Sequence, residues 1–130
     1  MKLNHLGIIV NNIEKHVENY KKIFDAQLCT SIIRDDFQQA KLCLLKNDSL
    51  EFYWELIEPI RDSRLFPFLQ KGGGLHHQCY EVENIDESMK HFRKTGAIPA
   101  LGPVPAPLFN NHQVVFIVMP DRTLIELLEV

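Results

Sequence analysis

The chain has 130 residues, of which 45% are hydrophobic and 24% charged, and a formal net charge of −3. That size suits one domain, or two small modules sharing a core. The slightly acidic balance gives nucleic acid or an anionic membrane no electrostatic footing, and apolar runs of about five to seven residues fall far short of a membrane span.

The first segment, KLNHLGIIV (residues 2–10), is short, apolar and β-prone, so it reads as a strand. A helix over roughly 12–24 follows, with Asn12 as its cap and Ile13, Val17, Tyr20, Ile23 and Phe24 at helical spacing. QLCTSIIRD, QAKLCLLKN and LEFYWELIEP read as three strands, broken at Asp35-Asp36 and Asn47-Asp48. The stretch IRDSRLFPFLQKGGG is a loop with one helical turn around Leu65–Leu69, ended by Gly72 to Gly74. LHHQCYEV is a strand. NIDESMKHFRKTG is a capped helix closed by Gly96, with Ile85, Met89 and Phe92 on one face. AIPALGPVPAPLFNN carries four of the seven prolines and cannot be a central strand throughout, although a short edge strand can start it. QVVFIVMP and TLIELLEV are strands joined by Asp121-Arg122. Each half therefore reads βαβββ.

The two halves are also related in sequence. Leu3, His5, Val10, Asn12 and Ile13 align with the identical residues Leu75, His77, Val82, Asn84 and Ile85. At the end of each half WELIE (54–58) aligns with IELLE (125–129), which pairs Glu55 with Glu126. The expected architecture is α+β, two paired βαβββ modules forming a curved mixed sheet around a metal-binding cleft. Module 1 covers 1–59, a linker 60–73, and module 2 covers 74–130.

The repeat selects one His and one Glu per half: His5, Glu55, His77 and Glu126. Taken singly, a strand His is usually packed or solvated, and a strand Glu faces solvent as often as not. Matched pairwise, two imidazoles and two carboxylates form a candidate divalent metal site. Mixed N/O ligation suits Zn, Ni, Co, Mn or Fe better than Ca or Mg. Strand alternation puts His76 on the face opposite His77.

LNHLGIIVNNIEKHVENY, ELIEP, FLQKGGGLHHQCYEVENIDESMKHF and TLIELLE together resemble the vicinal oxygen chelate superfamily over nearly the whole chain. FLQKGGGLHH followed by EVENID is most similar to methylmalonyl-CoA epimerases. The resemblance implies paired modules, a homodimer and one metal per cleft, with His5, His77 and Glu126 at metal positions and Glu55 at a position that is Gln or Glu in these enzymes. It implies a metal-dependent isomerase or epimerase that removes a proton next to a metal-bound carbonyl of a small thioester or 2-oxo substrate. Glu126 is the first candidate base and Glu55 the second. The alternatives are a glyoxalase I-type lactoylglutathione lyase and a non-catalytic, resistance-type binder. Three features depart from the pattern. QAKLCLL lacks the carboxylate that some epimerases place there. PVPAPLFNNHQ replaces a Gly-rich basic loop. Ile9 stands where glyoxalase I often has Arg.

The remaining candidates are lesser ones. Asn110, Asn111 and His112 lie in a loop that can border a cleft, and Arg61, Arg64 and Lys71 are candidates for holding a phosphate. His16 and His91 read as solvated. Tyr53 and Trp54 point to alternate sides of their strand, and Cys79 shares parity with His77. The three cysteines, Cys29, Cys43 and Cys79, form no CxxC and read as thiols in a reducing compartment. The opening MKLNHLGIIV lacks a signal-peptide pattern, so the cytoplasm is the expected location.

Overall fold

A computed structural model describes residues 1–130. Its elements are those of an α+β protein. The first half contains β1 (Lys2–Ile9), α1 (Ile13–Phe24), β2 (Gln27–Leu28), β3 (Ile33–Asp35), β4 (Ala40–Lys46), β5 (Tyr53–Pro59) and α2 (Phe66–Gln70). The second contains β6 (Gly74–Val82), α3 (Ile85–Lys94), β7 (Ile98–Ala106), a 3-10 turn (Pro107–Phe109), β8 (His112–Val118) and β9 (Leu124–Glu129). No helix is long and apolar enough to cross a membrane. The chain divides into two compact units, His5–His76 and Met1–Asn4 with His77–Val130.

In the unit His5–His76 the strand order is β2-β4-β5-β1, with β3 also pairing β4. β1 runs parallel to β5, with Gly7 opposite Glu55, and β4 runs antiparallel to β5, with Leu44 opposite Glu55. One sheet face packs on α1 through Val10, Ile13, Val17, Cys43, Leu45, Trp54 and Leu56. The Asn12 side chain caps α1 by accepting from Lys15 N at 3.0 Å. A second acceptor comes from the sheet: Ile13 N donates to Glu58 Oε1 at 2.7 Å.

The other unit follows the same plan, with strand order β6-β9-β8-β7. β6 runs parallel to β9, with Cys79 opposite Glu126, and β8 runs antiparallel to β9, with Phe116 opposite Glu126. α3 covers one face over Val82, Val115, Ile117, Ile125 and Leu127. Asn84 caps α3 by accepting from Glu87 N at 2.9 Å, and Ile85 N donates to Glu129 Oε2 at 2.9 Å. Glu58 and Glu129, equivalent in the repeat, thus do the same work in both units.

The structure corrects three local expectations. The segment QLCTSIIRD is two short strands, β2 and β3, not one. The Pro-rich segment is a strand through Ala106, longer than the short edge piece expected. It tolerates its prolines because β7 ends the strand order and its register to β8 breaks twice, between Pro99 and Leu101 and between Leu101 and Val104. Gly102 permits the close approach there, since a Cβ would lie 2.6 Å from Val114 O. Ile23 is 70% exposed and does not join the buried face of α1. At 100° per residue it stands about 80° away from Ile13, whereas Val17, Tyr20 and Phe24 stay within about 40°.

Candidate functional site

In the unit His5–His76, His5 projects from the middle of β1 onto the sheet face that α1 does not cover. Register puts Tyr53 opposite His5, so Glu55 is the diagonal neighbour on that face. His5 Nε2 lies 3.6 Å from Glu55 Oε1, with His5 fully buried and Glu55 6% exposed. The surrounding strand is largely apolar: the residues of β4 on this face are Ala40, Leu42, Leu44 and, at its end opposite Tyr53, Lys46, so β4 brings no carboxylate. Gly7 stands opposite Glu55 in register and adds no side chain to the space.

The second unit repeats the arrangement with the same atoms. His77 Nε2 lies 3.8 Å from Glu126 Oε1, with relative exposures of 3% and 5%. Cys79 occupies the position of Gly7. It is fully buried with Val114, Phe116 and Leu128. Phe116, opposite Glu126, sets its ring edge-on to His77 with centroids 5.3 Å apart. Phe116 was missed in the sequence because QVVFIV is apolar throughout; only the register to Glu126 singles it out.

Both Nε2–Oε1 separations exceed a hydrogen bond of 2.7–3.2 Å and fall within the range of donors that share a small ion. Burying an imidazole or a carboxylate costs several kcal/mol unless the group is hydrogen-bonded, paired or coordinated. His5, His77 and Glu126 are each buried and each offers a ligand atom to a metal ion. The donor set, neutral imidazole nitrogen with carboxylate oxygen, is chemically that of a transition-metal centre.

The other sequence candidates take structural places. His76 packs edge-on against Phe68 at 5.0 Å. His112 opens β8, and its Nδ1 lies 2.8 Å from Glu129 O. Asn110 and Asn111 adopt left-handed conformations in the turn before β8. Trp54 is buried beneath α1 and stacks on Phe24 at 4.9 Å, while Tyr53 is half-buried with Lys46 Nζ 5.6 Å from its ring centroid. Arg64 lies over Phe37 at 5.2 Å, and Arg61 and Lys71 are exposed. His91 is exposed, and His16 Nδ1 lies 2.9 Å from Asn12 O. Asp35, read only as a strand break, is buried and accepts from Phe37 N at 3.0 Å to form the β3–β4 turn. Cys43 faces α1, and burial first, then the negative charge of Glu55, pushes its thiol up to about 12.

Comparison with known proteins places these features in a family context. The family described as Glyoxalase/Bleomycin resistance protein/Dioxygenase superfamily matches residues 4–116. The chain is 35% identical over 97 residues to the mitochondrial methylmalonyl-CoA epimerase of Homo sapiens, covering 72% of this chain and 53% of that protein. It therefore spans about half the length of the human relative. It is 28% identical over 120 residues to the mitochondrial methylmalonyl-CoA epimerase of Dictyostelium discoideum, covering 89% of this chain and 69% of that one. The crystal structure of methylmalonyl-CoA epimerase from Mycobacterium tuberculosis superposes with a TM-score of 0.84 at 25% identity, covering 98% of this chain and 87% of that one.

Proposed function

The chain belongs to the glyoxalase/bleomycin resistance protein/dioxygenase superfamily, and from that premise we propose that it is a metal-dependent epimerase of an acyl-coenzyme A thioester, similar in reaction to methylmalonyl-CoA epimerase. His5, Glu55, His77 and Glu126 hold one divalent ion, Zn, Ni, Co, Mn or Fe. The observation that carries this reading is the duplicated pair: two buried His–Glu sets, on equivalent strands, joined through the same Nε2 and Oε1 atoms at 3.6 and 3.8 Å.

When bound, the ion supplies a Lewis acid that polarises a substrate carbonyl. The chain's own residues do the rest. Glu126 takes the proton from the carbon next to that carbonyl, a step in which a positioned carboxylate contributes about 10²- to 10⁴-fold. Glu55, entering the step as the neutral acid, delivers its own proton to the opposite face of the planar intermediate, which inverts the centre and leaves Glu126 protonated and Glu55 ionised; proton exchange with solvent after product leaves restores both. His5 and His77 stay in place as neutral donors, and the edge of Phe116 restrains the His77 ring. The apolar side chains Leu44 and Leu128 exclude water from the carboxylates and so strengthen their action.

Solvent deuterium exchange into methylmalonyl-CoA tests the reading. Wild-type protein loaded with metal should exchange the C2 proton, E126Q should lose about 10²-fold or more, and H5A and H77A should lose stoichiometric metal by elemental analysis. Wild-type protein that binds no metal under any loading condition would sink the proposal. A second reading, a glyoxalase-type isomerase acting on a hemithioacetal, is favoured by the absence of a carboxylate from β4. Turnover of the methylglyoxal–glutathione adduct without exchange into the thioester would select it. Homodimer formation and a reducing, cytoplasmic location complete the proposal; sedimentation tests the first, and three free thiols support the second.

A further inference from the structure

The sheet face that carries His5 and Glu55 becomes polar toward the end of β4. Register sets Lys46 opposite Tyr53, and Tyr53 opposite His5, so the three residues form one row across β4, β5 and β1. Alternation from Glu55 puts Tyr53 on the His5 face, and alternation from Leu44 puts Lys46 there too. Both are half-buried. Lys46 Nζ lies over the Tyr53 ring, 5.6 Å from its centroid, a contact that holds the ammonium near the row. The other lysine of β4 is used differently. Lys41 lies on the α1 face and is engaged by Glu14 at 3.3 Å and Glu58 at 3.9 Å. Lys46 forms no ion pair, and the Tyr53 hydroxyl forms no hydrogen bond within the chain.

The repeat sharpens the contrast. Val118 ends β8 as Lys46 ends β4, and Leu124 opens β9 as Tyr53 opens β5. Val118 is opposite Leu124 in register, as Lys46 is opposite Tyr53. The two units therefore match at the His and the Glu and differ beside them: only the unit His5–His76 offers a cation and a phenol there. We propose that Lys46 and Tyr53 are specificity-determining residues that receive a carboxylate on the acyl group of the substrate, which makes the substrate class a 2-carboxyacyl thioester. The ammonium donates a charge-assisted hydrogen bond to one carboxylate oxygen, and the phenol donates a second. The thioester half of the assignment rests on the epimerase reading above; the carboxylate half rests on the row itself. Reach supports it. Lys46 stands two strand spacings from His5, about 10 Å between backbones. Its flexible stem covers much of that span, and a carboxylate two bonds from an ion-bound carbonyl bridges the rest.

Calorimetric titration of the metal-loaded protein with malonyl-CoA and acetyl-CoA, which differ by that carboxylate, tests the proposal without turnover. Wild type should bind malonyl-CoA about tenfold more tightly than acetyl-CoA. Lys46→Met, which keeps a stem over Tyr53 but removes the charge, should lose most of that preference by weakening malonyl-CoA alone. Lys46→Arg should restore it, Tyr53→Phe should lose a smaller part, and Lys22→Met, on α1, should change neither affinity. A preference that survives Lys46→Met, as direct chelation of the carboxylate by the ion would give, overturns the proposal. An equal loss for both thioesters, or a wild type with no preference, does the same. Exchange at C2 of methylmalonyl-CoA separates this site from the epimerase reading. Preference lost in Lys46→Met, with no exchange by wild type, supports the carboxylate site and counts against the epimerase reading. Exchange by wild type, with preference unchanged in Lys46→Met, leaves the epimerase reading standing and overturns the site.

Discussion

Glu55 and Glu126 belong to strands whose neighbours are nearly all apolar, and that contrast made them legible in the sequence. A carboxylate at the repeat-matched position of two such strands is seldom a solvated one. His77 was separable from His76 by the same logic, because the repeat aligns His77 with His5 and alternation sends His76 to the other face, where it meets Phe68. What the sequence did not carry was the packing around the donors: Phe116 against His77, and Leu44 opposite Glu55. The thiols show the same division. Cys29 is exposed, whereas Cys43 and Cys79 are buried. Native protein treated with an aromatic disulfide should therefore release about one equivalent of thiolate rapidly and all three only after unfolding. Burial raises the acid–base range of both Cys43 and Tyr20. A protonated group with a raised folded value stabilises the fold fully below its unfolded value and loses that contribution as pH climbs through the folded one. Urea midpoints should accordingly fall between about pH 9 and 12, the window set by Cys43, and a Cys43→Ala variant should show a shallower decline.

At the level of elements, both long helices were readable from periodicity and from their Asn caps, since these signals are local. Their second anchor was not readable. Glu58 and Glu129 each reach from the end of a strand to the first amide of a helix that lies far back in the sequence, with sequence separations of 45 and 44 residues. Each carboxylate satisfies an amide that the helix cannot satisfy itself and complements its N-terminal dipole. Glu58→Ala should destabilise by about 1.5–3 kcal/mol, the range for hydrogen bonds to charged groups, whereas Glu58→Gln, which keeps an acceptor oxygen, should recover much of that loss in a denaturant titration. Because Glu58 follows Glu55 by three residues on β5, the anchor also ties the candidate metal strand to α1. β7 was under-read for a related reason. Proline forbids a central strand but not an edge strand with register breaks, and only the strand order reveals which one a segment occupies.

At the scale of the molecule, an ion held as proposed by His5, Glu55, His77 and Glu126 should stabilise the fold. Ligation that favours only the folded state adds about 2.7 kcal/mol at a hundredfold excess over Kd. A thermal melt should therefore rise with added Zn, Ni, Co, Mn or Fe and fall with chelator in the wild type, while H77A should melt at one temperature in both conditions. Trp54 bears on the same balance from the other sheet face. It is buried among Tyr20, Phe24 and Phe52, and Trp54→Ala should cost about 3–5 kcal/mol without changing metal stoichiometry. The sequence by itself determined the α+β class, the duplication, the capped helices and which His and which Glu in each half are equivalent, because alternation, helical period and internal identity are properties of the chain. Only the tertiary structure decided that each His lies diagonal to its Glu and that Glu58 and Glu129 close the helices. Those facts depend on parallel register and on contacts between residues distant in sequence, and no local pattern encodes either.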